Sequence, residues 1–175
     1  GGSVPTFTAN KGFKGNRANK AYIRTQYNPS TAQAVNYTRN SASIGCYINE
    51  LSTGTGNHLM GAVAGVNYLS PRYNNGQFRC NVNGDVDFTA QTMLSTPSLV
   101  SVVRSNATTV TAYIGTTALA AKTINSAAIG NYEITILTIT TSYDNSEVSM
   151  AYIGAGLTEA DITILKNAWD AFFLT

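Results

Sequence analysis

A short segment in the first half of the chain combines the side chains that bind a flat, hydroxylated ligand. It offers two aromatic rings and three hydrogen-bonding groups, namely Tyr68, Tyr73, Arg72, Asn74 and Asn75. Aromatic rings cover the apolar side of such a ligand, while a few polar groups fix its orientation. We therefore predict a ligand-binding loop or strand edge here. The competing interpretation is that both tyrosines are half-buried strand residues and that the asparagines only form a turn.

Other residue types that perform chemistry are sparse. His58 is the single histidine, and no metal-ligating neighbour lies at helical or strand spacing, so zinc sites and Ser–His catalysis lack support. Cys46 and Cys80 are predicted to be buried free thiols, with a disulfide as the alternative. Asp85 and Asp87 share one face of a strand end, but Ca²⁺ collects six or more oxygens. We predict no cofactor, and keep Ca²⁺ at these two acids as the alternative.

The composition is that of a polar, weakly charged β-protein. Charged residues make up 11% of the 175 residues, and the net charge is +2. An apolar fraction of 43% excludes intrinsic disorder, and no apolar run approaches the roughly 18 residues of a membrane span. Five of the eleven cations fall within residues 11–24. We interpret them as loop residues that complement the more acidic second half. The alternative is a patch for nucleic acid or an anionic glycan; we predict neither a nucleic-acid partner nor a membrane partner.

Short β-strands separated by turn residues account for most of the chain. In residues 21–27, period-2 alternation places Tyr22, Arg24 and Gln26 on one face. Two Asn-Gly pairs, at residues 75–76 and 83–84, predict β-hairpins. A one-residue phase shift within residues 131–140 predicts a β-bulge or a strand covered on both faces. The predicted strand regions are residues 21–27, 41–49, 58–64, 66–86, 99–104, 108–116, 131–140 and 148–154.

The last predicted element is an α-helix. Thr158, followed three residues later by Asp161, is a helix-start signal. An apolar stripe then repeats at helical spacing, with two charged residues on the opposite side: the stripe is Ile162, Leu165, Trp169 and Phe172, and the charged residues are Lys166 and Asp170. We interpret Trp169 as a packing residue rather than a ligand-stacking ring. One domain is predicted at residues 13–175, preceded by a linker at residues 1–12.

The order of three segments resembles a known fold family. The first is Gly-rich, continues into an aromatic strand and closes with Asn28-Pro29-Ser30; the second is residues 37–45; the third, residues 151–161, reads Ala-Tyr-Ile-Gly-Ala-Gly-Leu-Thr-Glu-Ala-Asp. Together they resemble the concanavalin A-like lectin/glucanase jelly roll, and most of all the laminin-G-type modules of phage tail and other virion surface proteins. The resemblance implies an all-β fold, a two-sheet antiparallel jelly-roll sandwich with a short C-terminal α-helix.

The same family contains glucanases, whose acids follow an acid-x-acid-x-x-acid pattern on one strand. Asp85-Val86-Asp87 supplies the first two acids, but Ala90 stands at the third position. Glu159 and Asp161 also have the first spacing, yet they begin a helix, where capping explains them. Because a retaining glycosidase needs a pair of facing carboxylates, we predict that the chain is not an enzyme and has no catalytic residues. A polysaccharide hydrolase stays as the third hypothesis.

What the resemblance implies about function is binding. We expect a non-catalytic tail or fibre module, at a virion surface or extracellular, that binds host or environmental glycans through Tyr68, Arg72, Tyr73, Asn74 and Asn75. Four further tyrosines are comparable candidates that the sequence does not rank, namely Tyr22, Tyr27, Tyr37 and Tyr47. The alternative is a structural or assembly module without a ligand, whose partners are other virion or tail subunits or further copies of itself. The chain begins without Met, and we predict that it comes from a longer polypeptide.

Overall fold

The computed structural model describes residues 3–32, 36–54, 56, 58–62, 66–73, 76–88 and 97–173. In chain order, the strands of these residues are β1 (Thr6–Thr8), β2 (Gly12–Lys14), β3 (Ile23–Arg24), β4 (Ala42–Glu50), β5 (Met60–Ala62), β6 (Tyr68–Ser70), β7 (Phe78–Asn81), β8 (Asp85–Phe88), β9 (Ser98–Arg104), β10 (Thr109–Ile114), β11 (Thr117–Ala118), β12 (Lys122–Thr123), β13 (Ile134–Ile136), β14 (Thr138–Ile139), β15 (Ser142–Tyr143) and β16 (Glu147–Gly154). One α-helix, α1 (Glu159–Phe173), follows them. Within the described residues, no helix is long and apolar enough to cross a membrane.

The strands form two main antiparallel sheets, as predicted for a β-sandwich. The front sheet has eight strands in the order β1-β2-β16-β4-β9-β10-β11, with β12 also paired to β10. The back sheet has six strands in the order β3-β13-β5-β6-β7-β8, and β14 and β15 form a separate pair. The segment predicted as a linker contains β1, which lies at one edge of the front sheet and pairs with β2.

The centre of the front sheet is buried on both faces. Strand β9 is buried along its whole length, which its apolar, β-branched sequence favours because such residues fit a pleated surface between two layers. One face of β4 and β9 packs on the back sheet, in a cluster that includes Ile44, Cys46 and Val102. The other face packs on α1, in a second cluster. Cys46 and Cys80 are both buried free thiols, as predicted, and burial raises the pKa of each.

Turn chemistry sets the back sheet. Asn83 adopts a φ of 54° between β7 and β8, so the second Asn-Gly hairpin is confirmed. Asn75 of the other pair lies outside the described residues, but the backbone N–H of Tyr73 donates to the carbonyl of Gln77 at 2.8 Å across that connection. The phase shift within residues 131–140 predicted a β-bulge or a strand covered on both faces, but the strand is instead interrupted at Leu137, which has a φ of 67°. There the chain leaves β13, and β14 pairs with β15 instead of continuing in the back sheet.

The helix begins as its capping signal predicts. The Thr158 hydroxyl accepts from the backbone N–H of Asp161 at 3.2 Å, and the Asp161 carboxylate accepts from the backbone N–H of Thr158 at 2.8 Å. Ile162 and Trp169 are buried against the front sheet, which confirms Trp169 as a packing residue. Phe172 was assigned to this apolar stripe wrongly: it is 71% exposed.

One further assignment within the helix also needs correction, besides that of Phe172. Phe173 takes the place predicted for its neighbour, since its ring stacks on Tyr47 at 5.6 Å between centroids. Lys166 and Asp170 were predicted to lie on the side of the helix opposite the packing face, but Asp170 contacts the front sheet. Asp170 accepts a hydrogen bond of 2.7 Å from the Tyr47 hydroxyl and pairs with Lys166. The physical reason is that a buried tyrosine hydroxyl needs a polar partner, and the helix supplies one.

Candidate functional site

Two of the residues predicted to bind a ligand, Tyr68 in β6 and Tyr73 after it, lie together with Arg79, Asp85 and Asp87. We call these five residues the Tyr73 surface. Tyr68 is only 5% exposed, and its hydroxyl donates to the Asp85 carboxylate. Its ring therefore supports the surface and offers no open face. Tyr73 is half-buried and supplies the accessible ring.

The other three residues of the predicted set do not form part of the Tyr73 surface as the structure describes it. Arg72 donates to the backbone carbonyl of Ser52 at 2.7 Å, so its guanidinium ties two loops together. Asn74 and Asn75 lie outside the described residues. Their predicted role stays a prediction.

Arg79 lies at the centre of the Tyr73 surface. Its guanidinium carbon is 4.9 Å from the Tyr73 ring centroid, which is a cation–π contact. The same guanidinium pairs with Asp85 at 2.6 Å and with Asp87 at 3.1 Å. Hydrogen bonding to Asp85 raises the pKa of Arg79. The two acids considered for Ca²⁺ thus share one arginine as their ion-pair partner, and the described residues contain no group of three or more acids, histidines or cysteines placed to hold a metal.

His58 is buried beside this surface. It is 6% exposed, and its ring lies 5.8 Å from Tyr73 and 6.1 Å from Tyr68 between centroids. Its Nδ1 is buried, with no hydrogen-bond partner among the described residues. Burial, and then the charges of Arg17 and Arg79, lower the pKa of His58 to about 4. The imidazole is therefore neutral at pH 7.

The buried neutral histidine leads to a pH prediction. The unfolded chain binds a proton at His58 near the ordinary pKa of 6.5, while the folded chain resists it until about pH 4. Stability is therefore complete above pH 6.5 and falls as the pH drops towards 4, by about 3 kcal/mol for this group. Urea unfolding between pH 4 and 7.5 measures the slope, and a His58→Phe variant should lose that component. Because the chain has a single histidine, NMR titration of its ring protons checks the pKa directly; a value near 6.5 would contradict the prediction.

A second candidate lies at the edge of the back sheet. We call it the Tyr22 cleft: a cavity of about 210 Å³ lined by Tyr22, Arg24, Glu133, Thr135, Thr138, Thr140 and Tyr143. Among the described strands, β3 ends the sheet there and has β13 as its one neighbour, with Arg24 opposite Thr135. The side chains of an edge strand have neighbours on one side only. This leaves the cleft open next to β14 and β15.

Two tyrosines form the aromatic part of the cleft. The ring centroids of Tyr22 and Tyr143 are 5.9 Å apart, with an interplanar angle of 50°. Three threonines form another wall of the cleft. The hydroxyl oxygen of Thr135 lies 2.9 Å from the carbonyl oxygens of both Gly61 and Thr138 and shares its one proton between them. The arrangement is fixed by the sheet rather than by a free loop.

An ion pair forms the polar part of the cleft. Arg24 Nη2 lies 2.5 Å from Glu133 Oε2, and Arg24 Nε lies 3.0 Å from the same oxygen. Glu133 Oε1 also accepts from the backbone N–H of Gln26 at 2.8 Å. Hydrogen bonding from Arg24 lowers the pKa of Glu133, so this carboxylate is ionised near neutral pH. Glu133 is the single acid in the lining of the cleft, whereas a retaining glycosidase uses two.

An apolar groove adjoins the cleft. Its volume is about 400 Å³, and it shares Tyr22 and Arg24 with the cleft, while Val4, Phe13 and Ile23 are among its other lining residues. Phe13 is 36% exposed and lies 5.1 Å from the ring of Phe7, which is 62% exposed. The front sheet thus carries large exposed apolar side chains at its β1–β2 edge.

Part of the Tyr22 cleft could be predicted from the sequence. Alternation placed Tyr22 and Arg24 on one strand face, and Tyr22 was among the unranked tyrosine candidates. Glu133 and Tyr143, however, lie more than 100 positions further along the chain. No local pattern connects them to β3.

Several solved structures share this fold. The binding domain of Paraclostridial Mosquitocidal Protein 1 matches with a TM-score of 0.66 and 16% identity, over 95% of this chain and 47% of that chain. Domain 4 of AbnA, a GH43 extracellular arabinanase from Geobacillus stearothermophilus solved with arabinotriose, matches with a TM-score of 0.61 and 15% identity, over 90% of each chain. The binding domain of Botulinum Neurotoxin DC, solved with SialylT, matches with a TM-score of 0.54 and 19% identity, over 75% of this chain and 36% of that chain.

At such low identities the likeness establishes the fold and nothing finer. It confirms the jelly-roll-type β-sandwich that the sequence segments resemble. The chain spans less than half of the length of the two toxin binding domains. No protein-family model and no curated protein matches the sequence.

Proposed function

We propose that this chain is a non-catalytic module that binds glycans on a host or environmental surface, with the ligand in the Tyr22 cleft. The observation that carries the proposal is the pair of tyrosine rings, 5.9 Å apart, beside the Arg24–Glu133 ion pair in a cleft of about 210 Å³. A sugar ring has an apolar side of C–H groups and a rim of hydroxyls. It therefore needs the combination of aromatic faces and fixed polar groups that the cleft presents.

The structural neighbours support a binding role. Two of them are binding domains, and two were solved with a sugar ligand, arabinotriose or SialylT. The carboxylates support the absence of catalysis: Glu133 is paired with Arg24, while Asp85 and Asp87 are paired with Arg79. The hydrogen bonds from Arg24 lower the pKa of the Glu133 carboxyl group, and a carboxylate that stays ionised at neutral pH is a poor general acid.

The proposed location is a virion surface or the extracellular space. Support for the virion comes from the resemblance to laminin-G-type tail modules. The extracellular arabinanase among the neighbours supports the wider extracellular assignment. Immunogold labelling of intact particles and of culture supernatant from the source, with an antibody against this domain, tests the two assignments; labelling confined to the cell interior would contradict both.

Glycan-array binding with tyrosine variants tests the function. A Tyr22→Ala/Tyr143→Ala variant is expected to lose about 100-fold in affinity for the best glycan, since central aromatic anchors contribute about 2 kcal/mol or more each but share one contact. The Tyr73 surface stays the second candidate, so Tyr73→Ala is the matched control, with and without Ca²⁺. Loss in Tyr73→Ala alone would move the site to the predicted loop. No binding by the folded wild-type domain would contradict the proposal.

The exposed apolar edge favours a second candidate, a structural or assembly module. Phe7, Phe13 and Met150 are all exposed apolar residues on or beside the β1–β2 edge, and such a cluster is typical of a surface that another subunit covers. Homo-oligomers and other virion or tail subunits are the partners that this candidate requires. Light scattering across a concentration series would detect self-association, and a monomer at all concentrations would leave only a hetero-partner.

A further inference from the structure

The charge balance of the Tyr22 cleft carries an inference about its ligand. Among the seven residues that line the cleft, Arg24 and Glu133 are the charged ones, and they cancel each other. The others are two tyrosines and three threonines. Arg17 lies nearby, donating to the backbone carbonyl of Tyr143 at 2.8 Å, but it does not line the cleft. The lining is thus electrically neutral, although it contains a strong hydrogen-bond donor.

The ion pair leaves three N–H donors of Arg24 open and occupies most of the acceptor sites of Glu133. A guanidinium has five N–H groups, of which Nε–H and one Nη2–H point to Glu133. Three N–H groups remain, and the side chain is 66% exposed. Glu133 already accepts from Arg24 and from the backbone of Gln26, and it is 21% exposed. Arg24 is therefore the group that reaches a ligand, and Glu133 is the fixed charge that orients and neutralises it.

Resting on the proposed function, we propose that the cleft selects uncharged sugars and disfavours sugars that carry carboxylate or sulfate groups. A sugar hydroxyl accepts from the open N–H groups of Arg24 without bringing charge. A carboxylate or sulfate at the same place would meet a cation that is already paired and would lie beside a second anion. Like charges a few ångströms apart repel, and the partly enclosed cleft screens them less than bulk water does.

Glycan pairs that differ only in charge test the inference. The probes are neutral galacto-oligosaccharides against their 6-sulfated forms, and gluco-oligosaccharides against their C6-oxidised, uronate forms, with affinities measured by titration calorimetry at fixed salt. The wild type is expected to bind the neutral member of each pair at least about tenfold more tightly. Glu133→Gln leaves Arg24 uncompensated, so this neutral-to-charged ratio should fall by about tenfold or more.

Two further variants separate the electrostatic effect from a folding defect. Arg24→Gln leaves Glu133 uncompensated, so the neutral-to-charged affinity ratio of this variant should rise. Its affinity for neutral sugars should fall, because the donors of Arg24 are gone. Because the two cleft variants change the ratio in opposite directions, damage to the fold cannot produce both results. Glu50→Gln removes the same charge from the Lys14–Glu50 pair on the front sheet and should leave the ratio unchanged.

The outcomes distinguish the inference from the proposed function. Equal or tighter binding of the charged sugars by the wild type, lost in Tyr22→Ala/Tyr143→Ala, overturns the inference and keeps the function. A ratio that is the same in wild type, Glu133→Gln and Arg24→Gln also overturns it. Wild-type protein that is folded but binds neither member of any pair contradicts the function and the inference together.

Discussion

Replacing Trp169 by alanine is expected to lower the free energy of unfolding by about 3–5 kcal/mol. Trp169 is 6% exposed, and its ring makes edge contacts with Tyr47 and Tyr152, each at 5.9 Å between centroids. These contacts join α1 to the centre of the front sheet. Removing the indole leaves a cavity between two layers that cannot collapse around it, because the sheet is fixed by its hydrogen bonds. Urea unfolding followed by circular dichroism measures the change.

Phe172→Ala is the matched control for the tryptophan variant. Phe172 is on the same helix, three residues later, but is 71% exposed, so its truncation should change stability by less than about 0.5 kcal/mol. The affinity of folded Trp169→Ala protein for the best glycan should be unchanged at low temperature. Equal stability of the two variants, or a glycan affinity that disappears in fully folded Trp169→Ala, would show that the indole serves binding rather than packing.

The parts of the fold that sequence predicts are those set by local chemistry. The capping pair Thr158 and Asp161 fixes the start of α1 through contacts three residues apart. Asn83 fixes a hairpin because its preferred left-handed φ suits the tight turn. The phase shift around Leu137 marks the irregular backbone there. Each signal lies within a few residues of the structure that it predicts, so one sequence is enough.

The end of the helix was less predictable. The apolar stripe of α1 assigns Phe172 to the packing face, but Phe173 contacts Tyr47 instead. A difference of one residue rotates the side chain by about 100° around the helix axis. At the end of a helix the last four carbonyls lack partners within the helix, so the final turn frays and its side chains are placed by their contacts. The choice therefore depends on the sheet beneath, which the helical period does not describe.

The Tyr22 cleft could not be predicted from local sequence patterns, because strand pairing brings its residues together. Arg24 and Glu133 meet because β3 and β13 are paired, and that pairing joins residues 109 positions apart. Tyr143 reaches Tyr22 only because β15 turns back beside β14. Non-local strand pairing is set by sheet order, which depends on the whole chain. The sequence could thus name Tyr22 as a candidate but not its partners.

Arg104 is a buried residue that the sequence pattern did not single out. It ends the apolar run of β9, where a charged residue normally marks the solvent, yet it is 0% exposed. Its Nε donates to the carbonyl of Val82 at 2.7 Å, and its Nη1 donates to that of Ile124 at 3.0 Å. Gly84 allows this approach, since a Cβ there would lie 2.6 Å from Nη2. Nη1 also donates to the carbonyl of Ala107 at 3.3 Å, so the guanidinium joins three separate loops by their backbone oxygens.

Arg104→Ala is therefore expected to destabilise the domain by about 2–5 kcal/mol, the range for truncating a large buried side chain. Truncation opens a cavity, and it leaves the carbonyls of Val82 and Ile124 without this donor, at about 1–3 kcal/mol for each buried group that stays unsatisfied. Arg104→Lys should not restore stability, because an ammonium group on a flexible stem cannot reach carbonyls that a planar, forked guanidinium spans. Urea unfolding of both variants at pH 7 gives the two values.

Arg104→Met separates packing from hydrogen bonding at the same position. Methionine fills most of the volume but donates nothing, and it also relieves the desolvation that lowers the pKa of Arg104. If the carbonyl contacts stabilise the loops, Arg104→Met should still lose about 2 kcal/mol or more. Hydrogen exchange should then accelerate at Ser126, whose N–H donates to the carbonyl of Ala107 at 2.8 Å in the joined loops. A methionine variant as stable as the wild type would mean that Arg104 contributes volume alone, and the predicted loss in the lysine variant would then need another cause.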